Sequence, residues 1–194
     1  MPVPELPVAL VTGVERVLRA AAAAATSPFT GTQQVQDWGG RWWEFDIDFA
    51  VTQGDDGRRL SAFYTGLGGI VGTFLFRDPA MKVATSTVPQ VKGAGQSGST
   101  LLTDGWGATT LKAGSFFSLG SDSATRLYQL LADVTPSGGN ATLSFAPALR
   151  AVPADNAPLN IINPAVLLRL KAPVIASIRS ANLYRFTASC REAI

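Results

Sequence analysis

Ten residues, Arg41 to Ala50, limit the possible folds more than any other stretch. Trp43, Phe45, Ile47 and Phe49 alternate there with Trp42, Glu44, Asp46 and Asp48. Successive side chains of an extended chain point to opposite faces, so this period of two predicts a β-strand with one buried and one charged face. Gly39-Gly40 just before it predicts a turn. The pattern recurs near the end of the chain. Tyr184, Phe186, Ala188 and Cys190 alternate with Arg185, Thr187, Ser189 and Arg191, which predicts a second long half-buried strand.

One helix is expected. Leu60, Phe63, Tyr64 and Leu67 fall at i, i+3, i+4 and i+7, with Asp55 or Asp56 to cap the start and Gly68-Gly69 to end it. Arg58 and Arg59 sit at the end of the helix that the macrodipole disfavours for cations. Ala20 to Ala25 has high helix propensity, but without an amphipathic neighbourhood the run need not be helical. From Lys92 to Thr110 the chain turns Gly, Ser and Thr rich. Short strands are then predicted at Phe116–Leu119, Arg126–Leu131 and Ala141–Phe145, separated by Ser121-Asp122-Ser123 and by Pro136 to Asn140. Pro147, Pro153, Pro158 and Pro164 mark an irregular return path. The chain therefore reads as mainly β. Residues 1–79 and 165–194 form one discontinuous domain, interrupted by a small β-barrel or sandwich module at 80–164.

Composition narrows the function classes. Of 194 residues 46% are hydrophobic, enough for a real core, while only 15% are charged. A surface so poor in charge fits a subunit that hides much of it against other subunits. Net charge is +2 with no Lys/Arg run longer than two, which argues against a dedicated nucleic-acid binder. The single cysteine, Cys190, excludes an intrachain disulfide. Ala20–Ala25 is too short to span a bilayer, and Arg16 and Arg19 come too late for a signal peptide. We therefore expect folding in a cytoplasm, where Asn140-Ala141-Thr142 is a turn rather than a glycosylation site.

Most chemical motifs fail on context. Gly93-Ala94-Gly95-Gln96-Ser97-Gly98 has dinucleotide-loop spacing, but that site needs a helix opening at the loop. Ser99 to Gly105 reads instead as strand and turn, so no cofactor is expected. There is no histidine, which removes Ser-His-Asp and Cys-His activation and most zinc sites. Cys190 lies on the apolar face of its strand and reads as a small buried hydrophobe. Glu44, Asp46 and Asp48 share one strand face. Such a row suits a hard cation or acid/base work, yet strand alternation produces solvated or ion-paired rows by itself. No catalytic or metal residue is assigned. Trp38, Trp42, Trp43 and Trp106 can be read as a sugar-stacking platform or as interface anchors, with Trp43 more simply core.

Charge is segregated. Between Asp37 and Asp56 lie six acids and one base, Arg41. Between Val166 and Ile194 lie five bases (Arg169, Lys171, Arg179, Arg185, Arg191) and one acid, Glu192. The two charged faces complement one another within one sheet or between subunits. Glu44, Asp46, Asp48, Arg185 and Arg191 are thus candidate inter-subunit residues.

Several stretches together resemble the distal tail proteins of long-tailed, non-contractile bacteriophages. They are Ser27 to Gln34, Trp38-Gly39-Gly40-Arg41-Trp42 and Gly72 to Pro79, followed by Leu111-Lys112-Ala113-Gly114, Asn140 to Leu143 and Pro147 to Arg150. The resemblance covers roughly residues 27 to 194, and the order of the motifs carries it. It implies a non-catalytic virion protein, assembled in the host cytoplasm and placed at the tail tip. Six copies would form a ring between the tail tube protein and the tail-tip hub protein, with a lumen passing the tape-measure protein and then DNA. In such a ring Glu44, Asp46, Asp48, Arg185 and Arg191 would be inter-subunit or lumen-facing, and a surplus of acid facing the lumen would repel DNA phosphates. It also implies a β-sandwich ring domain with one helix and a peripheral β-module. The alternatives are a carbohydrate-binding tip or baseplate protein using the tryptophans, and an enzyme using the Glu44/Asp46/Asp48 row.

Overall fold

The computed structural model describes residues 2–7, 10–179 and 182–194. The fold is mainly β with one short helix. Its largest sheet has five strands: β1 (Val11–Thr26), β2 (Gln33–Phe49), β13 (Thr187–Glu192), β10 (Val166–Leu170) and β4 (Thr73–Phe76), in that spatial order and antiparallel throughout. Residues 4–6 run parallel along the far side of β4, with Leu6 N donating to Leu75 O and Leu75 N to Pro4 O.

The alternation in β2 sends Trp43, Phe45, Ile47 and Phe49 into the core, all 5% exposed or less. They meet Phe74 and Phe76 of β4, Val166 and Leu168 of β10, and Ala188 and Cys190 of β13. Phe45 packs edge-on to Phe76 at 5.9 Å, and Phe49 to Tyr64 and Phe186 at 6.2 and 6.5 Å. Each such fully buried side chain stabilises the fold by about 1.5–3 kcal/mol relative to exposure.

The C-terminal alternation is not one strand. It splits at Phe186 into β12 (Leu183–Arg185) and β13. β12 belongs to a three-stranded sheet with β11 (Ser177–Arg179) and β3 (Thr52–Gln53), whereas β13 joins the large sheet. Inward and outward facing continue through the switch, so Tyr184, Phe186, Ala188 and Cys190 are all buried.

The helix α1 spans Asp55–Gly66 and covers the core with Leu60 and Tyr64, followed by Leu67 just past its end. Its cap is Gly54, not Asp55 or Asp56. Those acids occupy the first turn, where the macrodipole favours them, and Asp55 pairs with Arg58 at 3.1 Å. Gly57 is required by close approach, since a Cβ there would lie 2.3 Å from Cδ2 of Tyr184.

The alanine run is strand, not helix. Ala22 to Thr26 pair with Gln33 to Asp37, and this hairpin ladder overrides the residues' own helix propensity. Gly39-Gly40 is likewise no turn but part of a register shift inside β2, opposite Ala20–Ala22. Gly39 has φ 76° and donates to Asp37 Oδ1, and Arg41 grips the same carboxylate through two bonds of 2.9 and 2.6 Å. That pair holds the Asp37 carboxyl far below the usual range.

A second core lies between Val91 and Ile161. Here β5 (Gln90–Val91), β6 (Thr100–Asp104), β9 (Ala141–Ala146), β8 (Arg126–Leu130) and β7 (Phe116–Leu119) form a sheet in that order. Residues 156–160 bridge its two edges, with bonds from Val91 N to Ala157 O and reciprocal bonds between Ser118 and Asn160. The sheet thereby curls into a small barrel around Trp106, Phe117, Tyr128 and Phe145. This barrel touches the large sheet through Phe116, edge-on to Trp43 at 5.6 Å, and through Trp43 Nε1, which donates to Leu127 O. Arg16 of β1 lies over Phe116 and pairs with Asp78. Arg150 pairs with Glu192 at 2.9 Å.

Candidate functional site

The outer face of the large sheet collects most of the charged residues singled out by the sequence. Alternation in β2 turns Trp42, Glu44, Asp46 and Asp48 outward. The register of β13 places Arg191 opposite Glu44, Ser189 opposite Asp46 and Thr187 opposite Asp48. On the other side, β1 brings Val17 opposite Glu44, Glu15 opposite Asp46 and Gly13 opposite Asp48. In β10, Arg169 stands directly across from Arg191.

Glu44 is fully engaged within the chain. It accepts hydrogen bonds from Trp42 Nε1 (3.1 Å), Lys171 Nζ (3.1 Å) and Arg19 Nε (3.2 Å). The Trp42 bond most of all, then the two cations, hold its carboxyl down to about 2. Asp48 accepts from Thr187 Oγ1 at 3.0 Å. The Asp46 side chain makes no hydrogen bond or ion pair among the described residues, and the side chain of Glu15, directly across from it, makes none either. Arg191 stacks on the Trp42 ring at 4.3 Å. The acid-rich and base-rich strands are therefore neighbours in one sheet and pair inside the chain. Arg19, Lys171, Arg169 and Arg191 offset Glu15, Glu44, Asp46 and Asp48 on this face, so the expected surplus of acid holds for β2 alone. Arg185 lies apart on β12, exposed and without an ion pair among the described residues.

Like charges face each other twice: Glu15 with Asp46, and Arg169 with Arg191. Directly opposed like charges oppose strand pairing. The cationic end borders a hollow of about 450 Å³ lined by Glu44, Ile70, Arg169, Lys171, Arg191 and Ile194 among others. Glu44, Asp46 and Asp48 do not converge: among the described residues no three His, Cys, Asp or Glu side chains group as metal ligands. The four tryptophans share no platform. Trp43 and Trp106 are buried in different cores, Trp42 lies under Arg191, and Trp38 is 64% exposed. After Gly93–Gly98 comes β6 and no helix, so the loop lacks the context of a phosphate cradle. Burial pushes the Cys190 thiol up to about 12.

After Ala21 in β1 and before Gly40 in β2, the two strands leave the body of the large sheet as a two-stranded ribbon. Ala22–Thr26 and Gln33–Gly39 are exposed at every position. Phe29 at the tip is 94% exposed and Val35 62%. Sequence reasoning missed this ribbon. Its signals were a strand side of bare alanines and the polar run Gln33 to Asp37, neither able to fill a core. It also missed Glu192, whose carboxylate is wholly buried.

Among the described residues no helix is long and apolar enough to cross a membrane. No protein-family model matches the chain, and no curated protein is significantly similar to it.

Proposed function

We propose that this chain is a structural subunit of a phage tail tip. Six copies close into a ring that joins the tail tube protein to the tip hub protein, and the lumen passes the tape-measure protein and then DNA. The reading starts from the sequence resemblance. The observation that supports it is the ribbon of Ala22–Thr26 and Gln33–Gly39, exposed on both faces and ending in Phe29. An isolated two-stranded hairpin is marginally stable in water. One that projects from a folded body with exposed Val35, Trp38 and Phe29 is suited to lie against another subunit.

Native mass spectrometry and negative-stain imaging of the purified chain test this. The expected result is a closed ring of six copies. Replacing residues 22–38 by a short turn is expected to leave a folded chain that no longer closes. A monomer at every accessible concentration overturns the reading.

A further inference from the structure

Most sheet edges among the described residues are covered or short. Residues 4–6 lie along β4, and Pro7, which has no backbone donor, follows this short segment directly. Residues 156–157 cover β5, and Asn160 covers β7. The edge strands β3 and β11 have two and three residues. Among the described residues the longest open edge is that of β1, with 16 residues at the end of the largest sheet; β2 is open on its other side only along the ribbon, because β13 reaches it from Glu44 to Asp48. Among the described residues no backbone group bonds to the outer side of β1. A long open edge is a template for strand addition.

The side chains of β1 point to one occupant. Its register with β2 is unbroken from Gly13 to Ala20, between two shifts. Glu15, Val17 and Arg19 face outward in that segment. Glu15 has Asp46 on its inner side and an empty edge on the other. An antiparallel copy of the same strand, centred on Val17, would set Glu15 against Arg19, Arg19 against Glu15 and Val17 against itself. Both charge pairs are complementary, and the exposed Val17 gains an apolar partner. Parity is preserved, so outward residues meet outward residues.

We propose that β1 pairs antiparallel with β1 of a second copy about a two-fold axis at Val17. The contact is isologous, and it stands independently of the ring: two-fold pairs can exist alone or join rings.

Oxidative crosslinking tests the register. Val17→Cys is expected to give disulfide-linked dimers, because the two positions coincide at the axis, whereas Ala22→Cys, paired with Thr12 of the other copy, is not. Cys190 is buried and does not compete. Glu15→Arg is expected to weaken two-fold association about tenfold by turning two attractive cross-strand pairs repulsive. Adding Arg19→Glu is expected to restore it. A dimer with the Val17 crosslink but no ring supports this proposal and overturns the ring. A ring without the crosslink and indifferent to Glu15→Arg supports the ring and overturns this proposal. Monomers alone overturn both.

Discussion

Glu192 is a charge buried inside the fold, and removing it gives a quantitative test. Its side chain is fully buried. One carboxylate oxygen accepts from Arg150 Nη2 at 2.9 Å and from the backbone N–H of Trp43 at 3.1 Å. Glu192→Ala leaves both donors without an acceptor. Breaking a buried pair by deleting one partner costs about 3–5 kcal/mol. Arg150 keeps 16% exposure and can recover some hydration, which places the cost near the lower end. The stranded Trp43 N–H adds about 1–3 kcal/mol. We expect about 4 kcal/mol in total, or roughly 8–16 °C in melting temperature for a chain of this size. The pair itself adds little, because Oε1 of Glu192 and Nε of Arg150 have no partner. Arg150→Met with Glu192→Gln keeps an amide oxygen for Trp43 and removes the stranded cation, so it should come within about 1.5 kcal/mol of the parent. Urea titration followed by tryptophan fluorescence measures this, since Trp43 reports on the sandwich and Trp106 on the barrel. If Glu192→Ala costs under about 1 kcal/mol, or the double variant is as unstable as Glu192→Ala, the reasoning about this pair is refuted.

Two further outcomes are expected. Phe45→Ala removes a side chain 1% exposed that packs on Phe76 and should cost about 3–5 kcal/mol, whereas Asp46→Asn on the opposite face should be near neutral in urea titration. Glu44, held near 2 against a usual 4.5, contributes stability that is complete above 4.5 and is lost as pH falls towards 2, so stability measured across that window should fall less steeply in Glu44→Gln. An unchanged slope in that variant would show that other carboxylates carry the acid response.

The sequence by itself determined which side of the two long alternating segments is wet. Side-chain direction in an extended chain has a period of two whatever the strand pairs with, so Trp43 to Phe49 and Tyr184 to Cys190 could be assigned to the core without knowing the sheet. The single helix was legible for the same local reason, since Leu60 and Tyr64 repeat at its period. The sheet to which each strand belongs was decided only in three dimensions. Alternation passes unbroken through Phe186, where the chain changes sheets, because facing is local and pairing is not. Ala20 to Ala25 carries only methyl side chains, too small to state a preference for burial, and its pairing with Gln34–Asp37 and Arg41 made it strand. Tertiary structure also decided the fate of individual charges. Glu44 meets Lys171, 127 residues away, and Glu192 meets Arg150, 42 residues away. An ionised side chain becomes solvated surface or a buried partner according to what the fold brings beside it, and sequence spacing does not encode that distance.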